Sequence, residues 1–177
     1  DYAYYGGAAS TEMDNIDDGV ANGANGGLFG LTPTPEGSWP GGVLGKANWT
    51  GEIWLGDLGT SYTQMWSGYM TPSVSGTYES WLSGDDYELL WIDLDRNGEF
   101  ETATGEDVSR NVPPEGWNTQ HTETFDLVAG ETYQFALGSN EGSGGASLQW
   151  TLKEPGGTAQ RINPGSPNDG IAWAAGS

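Results

Sequence analysis

The 177-residue sequence has no cysteine, one histidine and only five lysines and arginines, and each shortage removes a class of protein. Without thiols there is no disulfide scaffold and no cysteine nucleophile, although the redox compartment stays open. His121 would have to be the base of any hydrolytic triad, and no Gly-x-Ser-x-Gly elbow accompanies it, so a catalytic histidine is not expected. Five basic residues against twenty-five acidic ones leave a formal charge of -20. Such a surface repels a phosphate backbone and offers no basic stripe for counterion release, which excludes nucleic acid and anionic membrane as partners. No apolar run approaches the ~18 residues of a membrane span, so membrane insertion is not expected. Phosphate-loop and Gly-x-Gly-x-x-Gly readings have no support.

What is present is aromatic and glycine-rich. Nine Trp, eight Tyr and four Phe concentrate the hydrophobicity in a few large side chains that each bury much area. A chain of this length buries roughly two-thirds of its surface, enough for one core and one domain. Thirty Gly and nine Pro interrupt the chain too often for helices. Period-two segments instead predict strands at Thr77-Tyr-Glu-Ser-Trp-Leu82, Tyr87-Glu-Leu-Leu-Trp-Ile-Asp93, Thr132-Tyr-Gln-Phe-Ala-Leu137 and Ala146-Ser-Leu-Gln-Trp-Thr-Leu152. Tyr133, Phe135 and Leu137 share one face, as do Leu148, Trp150 and Leu152. Turn signals at Pro72-Ser-Val-Ser-Gly76 and Val128-Ala-Gly-Glu131 precede strands. The expected fold is all-β, an antiparallel, jelly-roll-like β-sandwich with a long irregular N-terminal segment. Residues 1–48 form that segment, packed on the domain through Tyr2, Tyr4, Tyr5, Phe29 and Trp39; residues 49–165 form the sandwich; 166–177 read as a tail or linker. Opening at Asp1 and closing on small residues, the chain reads as a piece of something longer.

The densest feature runs from Asp85 to Asp107, where nine acids (Asp85, Asp86, Glu88, Asp93, Asp95, Glu99, Glu101, Glu106, Asp107) face one base, Arg96. Such repulsion favours a counterion, and carboxylates suit Ca²⁺. Asp93-Leu-Asp95-Arg-Asn97-Gly-Glu99 has the D-x-D-x-N-G form of a calcium loop, in which alternate side chains converge and Gly allows the bend. Thr104 stands where a bidentate Glu would close the loop, so Glu99, Glu101, Glu106 or Asp107 would have to substitute. The expected set is Asp93, Asp95, Asn97, Glu99 and Glu101, holding a structural calcium. The competing reading is a hairpin turn, because Asn-Gly is a strong turn signal. A second acidic motif, Ser83-Gly84-Asp85-Asp86-Tyr87, places adjacent carboxylates before a strand. Neighbouring side chains normally point apart, so for both to hold one ion the backbone must bend, as a cis peptide allows; otherwise the pair is a solvated turn.

The stretch from Trp66 to Asp93, containing Ser83-Gly-Asp85-Asp86-Tyr87, resembles the protective antigen fourteen domain, a β-sandwich module shared by flocculins, bacterial adhesins and some glycosidases. Leu127-Val-Ala-Gly-Glu-Thr-Tyr133 is similar to that family's turn into a strand, and Asn140-Glu-Gly-Ser-Gly-Gly-Ala-Ser-Leu-Gln-Trp150 to its Gly-rich loop and following strand. The resemblance covers Trp49 to Leu152. It implies a calcium-dependent lectin site in which Asp85 and Asp86, joined by a cis peptide, hold Ca²⁺ with the Asn140 side chain and the carbonyls of Gly142 and Gly144. Vicinal sugar hydroxyls complete the shell, consistent with the about six to eight oxygens that Ca²⁺ takes. Glu141, Ser143 and Gln149 are candidate sugar contacts. The Gly-rich loop lacks the aromatic on which a sugar would stack, and the absence of flocculin-like cysteines favours a bacterial origin.

Among the tryptophans, Trp81, Trp91 and Trp150 alternate within predicted strands and are expected in the core, while Trp117, in Pro113-Pro-Glu-Gly-Trp-Asn118, is the best candidate for an exposed sugar platform. Adjacent aspartates chelate better than they catalyse, since glycosidase carboxyls stand about 5–9.5 Å apart across a cleft. Asn48-Trp-Thr50 is a glycosylation sequon of little weight outside a eukaryotic secretory context. The sequence therefore predicts a non-enzymatic, monomeric, calcium-dependent lectin module of an extracellular or cell-surface adhesin, with cell-surface or polysaccharide glycans as partners. The alternatives are a calcium-stabilised spacer without a sugar site, and a carbohydrate-binding module of a polysaccharide-degrading enzyme.

Overall fold

The computed structural model describes residues 2–6, 46–47, 62–98, 100, 104–106, 108–111, 119–162 and 171–175. Their elements are eleven strands: β1 (Tyr2–Gly6), β2 (Lys46–Ala47), β3 (Tyr62–Pro72), β4 (Gly76–Asp85), β5 (Tyr87–Ile92), β6 (Ser109–Asn111), β7 (His121–Leu127), β8 (Tyr133–Glu141), β9 (Ser147–Lys153), β10 (Gln160–Arg161) and β11 (Ile171–Ala175). Every pairing is antiparallel. One sheet has the order β2-β1-β3-β8-β5-β6 with β11 also on β3, and the other the order β10-β9-β4-β7. No helix among the described residues is long and apolar enough to cross a membrane.

Alternation along the strands builds the core between the sheets. Tyr62, Trp66 and Met70 of β3, Leu90 and Ile92 of β5, and Tyr133, Phe135 and Leu137 of β8 meet Tyr78 and Leu82 of β4, Phe125 and Leu127 of β7, and Leu148, Trp150 and Leu152 of β9. The two aromatic faces expected on β8 and β9 are both found there. Trp91 is also fully buried, but on the opposite face of its sheet, with its ring 5.9 Å from that of Phe100. Trp81 corrects the expectation of a core residue: it lies on the outer face of β4, half-buried, because its neighbours in register are Thr122 and Thr151 rather than apolar side chains. The expected turns are present, with Gly76 and Gly130 at positive φ, where a glycine is unstrained.

Two further expectations change. Tyr2–Gly6, assigned to the irregular segment, is a strand paired with Tyr62–Trp66, and Ile171–Ala175, assigned to a tail or linker, is a strand paired with Gly68–Pro72. Both lie end to end along one edge of β3, which supplies backbone partners that no local pattern advertises. Residues 7–45, including Phe29 and Trp39, and the sequon at 48–50 lie outside the described residues.

The chain crosses between the sheets twice at one end of the sandwich. It leaves β4 at Asp85 and enters β5 at Tyr87; it leaves β8 at Glu141 and enters β9 at Ser147. Because β5 pairs with β8 and β4 with β9, the two crossings lie side by side.

Candidate metal centre

Asp85 and Asp86 form the first crossing, and the peptide bond between them is cis. Asp85 is in register with Ser147, the first residue of β9, and Asp86 donates its backbone N–H to Asn140 O at 3.1 Å. The side chain of Asp86 reaches the second crossing: its Oδ2 accepts from the Gly142 N–H at 2.7 Å and, more weakly, from the Ser143 N–H at 3.4 Å. One carboxylate thus ties the two crossings together. Glu141 closes the group, with oxygens of Asp85, Asp86 and Glu141 all within 4.8 Å of one another. Glu141 is buried and the two aspartates half-buried. Three carboxylates so close repel one another strongly in a partly desolvated place, and a hard cation is the partner that relieves this while using only oxygen donors. The acidic groups can hold a metal ion, and the donor chemistry fits Ca²⁺.

Asn140 is buried beside this group. Its Nδ2 donates to Tyr62 O at 3.1 Å and to Thr63 Oγ1 at 2.8 Å, which orients the amide and makes Oδ1 the atom left for a cation. Gly142 is half-buried, Ser143, Gly144 and Gly145 are exposed, and Gly144 is at positive φ. A Cβ on Gly142 would lie 3.1 Å from Asp86 Oδ2, so the close approach of this loop to the carboxylate depends on glycine. Gln149 stands two residues into β9, half-buried, its Nε2 donating to Thr151 Oγ1 and its Oε1 accepting from Arg161. It is engaged along the sheet rather than at the crossings. Trp117 lies outside the described residues.

Glu141 belongs with the aspartates, whereas the sequence suggested only a peripheral sugar contact. Its inward position was readable from the odd-numbered face of β8, which continues from Tyr133, Phe135 and Leu137 through Ser139 to Glu141.

The second acidic group lies at the other end of β5, about 20 Å away at the usual rise per residue. Here Asp93, Asp95 and Glu106 bring oxygens within 4.8 Å of one another. Asp93 Oδ1 and Oδ2 accept from the N–H groups of Asn97 and Gly98, Asp95 Oδ1 accepts from Asn97 N–H, and Glu106 Oε1 accepts from Leu94 and Asp95 N–H. Asn97 Nδ2 donates to Asp95 Oδ2, so its side chain serves the turn. The loop therefore folds around its own carboxylates, with Glu106, one of the acids weighed for closing it, in the group; Glu99 and Glu101 lie outside the described residues. Arg96, at a φ of 62°, pairs with Glu131 and sits over the Tyr133 ring.

Two packed antiparallel sheets joined at one end by paired crossings, with an aspartate pair in the first and a glycine-rich loop in the second, make up a β-sandwich whose fold recurs among solved structures. A sugar-binding PA14 domain from an RTX adhesin has this fold at a TM-score of 0.51 and 16% identity, over 91% of this chain and 92% of that one. Two other solved structures are similar at a TM-score of 0.48. One is the epithelial adhesin 9 A domain from Candida glabrata, in complex with Galβ1-3GlcNAc, at 14% identity over 67% of this chain and 56% of that one. The other is an anti-sigma factor domain-containing protein at 22% identity over 59% of this chain; the match spans about a third, 32%, of that protein's length. No protein-family model and no curated protein matches the chain.

Proposed function

We propose that this chain is a calcium-dependent carbohydrate-binding module of an extracellular or cell-surface adhesin. The observation that carries the reading is the convergence of Asp85, Asp86 and Glu141 beside the exposed 143–145 loop. That the RTX adhesin domain of the same fold is a sugar-binding domain supports it. Asp85, Asp86, Glu141 and Asn140 Oδ1 would hold Ca²⁺, with the Gly142 and Gly144 carbonyls as further donors. Bound calcium supplies open coordination positions that vicinal sugar hydroxyls fill. The chain's own residues shape that opening: Asp86 fixes the loop through Gly142 and Ser143, the Asn140 amide is oriented by Tyr62 and Thr63, and exposed Ser143 offers a hydroxyl at the rim. On this reading the module is not an enzyme, residues 49–165 are its binding domain with β1 and β11 added along β3, and Asp93, Asp95 and Glu106 hold a structural ion. That second group also favours the contrasting reading, a calcium-stabilised spacer without a sugar site.

A glycan array run on the unmodified domain with calcium and again with a chelator tests the proposal. Binding that disappears on chelation is the expected result and identifies the sugar class. Binding that survives chelation refutes the calcium site, and no binding in either arm leaves the spacer reading.

A further inference from the structure

On the outer face of the four-stranded sheet the registers place side chains in rungs. Along β4, Ser83 stands opposite Gln149, Trp81 between Thr122 and Thr151, Glu79 between Thr124 and Lys153, and Thr77 opposite Asp126. Polar side chains on this face are tied to one another: Thr77 to Asp126 at 2.6 Å, Lys153 to Glu79 at 2.6 Å, and Gln149 to Thr151 at 3.3 Å and to Arg161 at 3.1 Å. Trp81 is the one aromatic side chain among the described residues of the face. It is half-buried, and among the described residues its side chain makes no ring contact and no hydrogen bond. The indole N–H groups of Trp66, Trp91 and Trp173 are buried and that of Trp150 donates to Ser80, whereas that of Trp81 is not among the buried polar atoms.

Chemistry, charge and position all suit this face to a sugar chain. An indole offers an apolar plane and one N–H donor, which match the apolar face of a pyranose ring and its hydroxyls. The side chains around it are already held by their own pairing, so presenting them to a ligand costs little further ordering. Glu79 and Asp126 are balanced by Lys153 and Arg161, on a chain whose formal charge is -20. Such a face is complementary to a neutral ligand, while the acidic remainder of the surface repels an anionic one. Trp81 is two rungs from Asp85, about 13 Å at the usual rise per residue, with the Ser83–Gln149 rung between them. That span exceeds one sugar ring and fits a short chain of them. The glycine-rich loop beside the aspartates holds no aromatic residue, and Trp81 supplies the plane it lacks.

We propose that the outer face of β4 and β9 is an extended glycan subsite, on which a neutral oligosaccharide anchored at the Asp85–Asp86 group runs over Ser83 and Gln149 and stacks a further ring on Trp81. This rests on reading that group as the calcium-dependent sugar site. The domain then recognises a chain of several sugar units rather than a single one. The ion takes the hydroxyls of one unit, and Trp81 reads whether the chain continues; Thr122, exposed beside the ring, offers its hydroxyl to the same unit.

The test is an array of neutral glycans, from monosaccharides to hexasaccharides, probed in calcium with the full chain and with Trp81→Ala. The unmodified chain should bind the longer members roughly tenfold more tightly than the monosaccharides, the effect of covering one apolar ring face. Trp81→Ala should lose that preference while keeping monosaccharide binding and the calcium-dependent melting transition, whereas a merely structural tryptophan would affect every chain length alike. Equal affinity at all lengths in the unmodified chain, or a preference that survives Trp81→Ala, overturns the subsite and leaves the calcium site standing. No binding at any length overturns the calcium-site reading and the subsite with it. Should Trp81→Ala fail to fold, the indole N–H resonance of Trp81 in the unmodified chain decides the matter. A shift on adding the tightest-binding hexasaccharide but not its monosaccharide supports the subsite; no shift with the hexasaccharide, or the same shift with both, overturns it.

Discussion

The Asp86 carboxylate combines a charge with a tether, and two substitutions separate them. Asparagine keeps an oxygen able to accept from Gly142 N–H but carries no charge, whereas alanine removes both. Replacing a charged oxygen by a neutral one costs about 1.5–3 kcal/mol, so Asp86→Asn should weaken calcium roughly ten- to hundredfold, and Asp86→Ala, which also loses the hydrogen bonds, should weaken it further and abolish glycan binding. Calorimetric titration of both variants checks this; equal affinities would mean the tether contributes nothing. Gly84 tests the packing beneath the pair. A methyl there meets Glu88 Oε2 at 2.7 Å, Glu88 Cδ at 3.0 Å and Ser147 O at 3.1 Å, and Gly84→Ala should cost about 1–3 kcal/mol in denaturant unfolding. At this scale the sequence was legible where chemistry is local: adjacent aspartates and a glycine loop are visible as strings. Glu88 and Glu141 were less so, because what gives each its place is a neighbour on another strand, and register is not written in either strand alone.

Strands were legible in proportion to how cleanly one face differs from the other. β4 and β9 alternate between buried and half-buried residues, and β8, buried almost throughout, still shows Tyr133, Phe135 and Leu137 at every second position of its sequence; the predicted extents of all three fall within a few residues of those observed. β3 hides because it is central: its first five residues are all buried, so no period-two contrast survives, and Gly68 and Pro72 read as breaks. β11, Ile-Ala-Trp-Ala-Ala, hides because small residues carry little pattern. Its place is nonetheless specific. Trp173 packs edge-on against Phe135, at 5.3 Å, and Trp150, at 5.9 Å, while a Cβ on Gly68 would lie 2.5 Å from Ala174 O. Trp173→Ala should therefore destabilise the domain by about 3 kcal/mol, although the residue stands in a segment that reads as a tail. Urea unfolding measures it; a change below about 0.5 kcal/mol, the range of ordinary surface substitutions, would show that β11 is dispensable.

For the whole molecule the governing quantity is a formal charge of -20 on 177 residues. Such a chain repels itself when compact, and any added salt relieves part of that by screening. Specific ion binding acts differently, because an ion that binds only the folded state adds stability that grows with its concentration relative to its dissociation constant. At a hundredfold excess one site contributes about 2.7 kcal/mol. For a domain of this size each kcal/mol moves the melting temperature by about 2–4 °C, so one calcium site corresponds to roughly 5–10 °C. Magnesium separates the two effects, since it screens equally well but dehydrates reluctantly and demands a tighter octahedron than crossed loops provide. Melting curves at matched concentrations should show calcium raising the transition by about 5–10 °C for each occupied site and magnesium by less than half as much. An Asp85→Asn, Asp86→Asn double variant should lose one site's increment while retaining that of the Asp93 loop. Equal shifts from both metals, unchanged in the double variant, would mean that the acidic clusters act through screening alone and hold no ion.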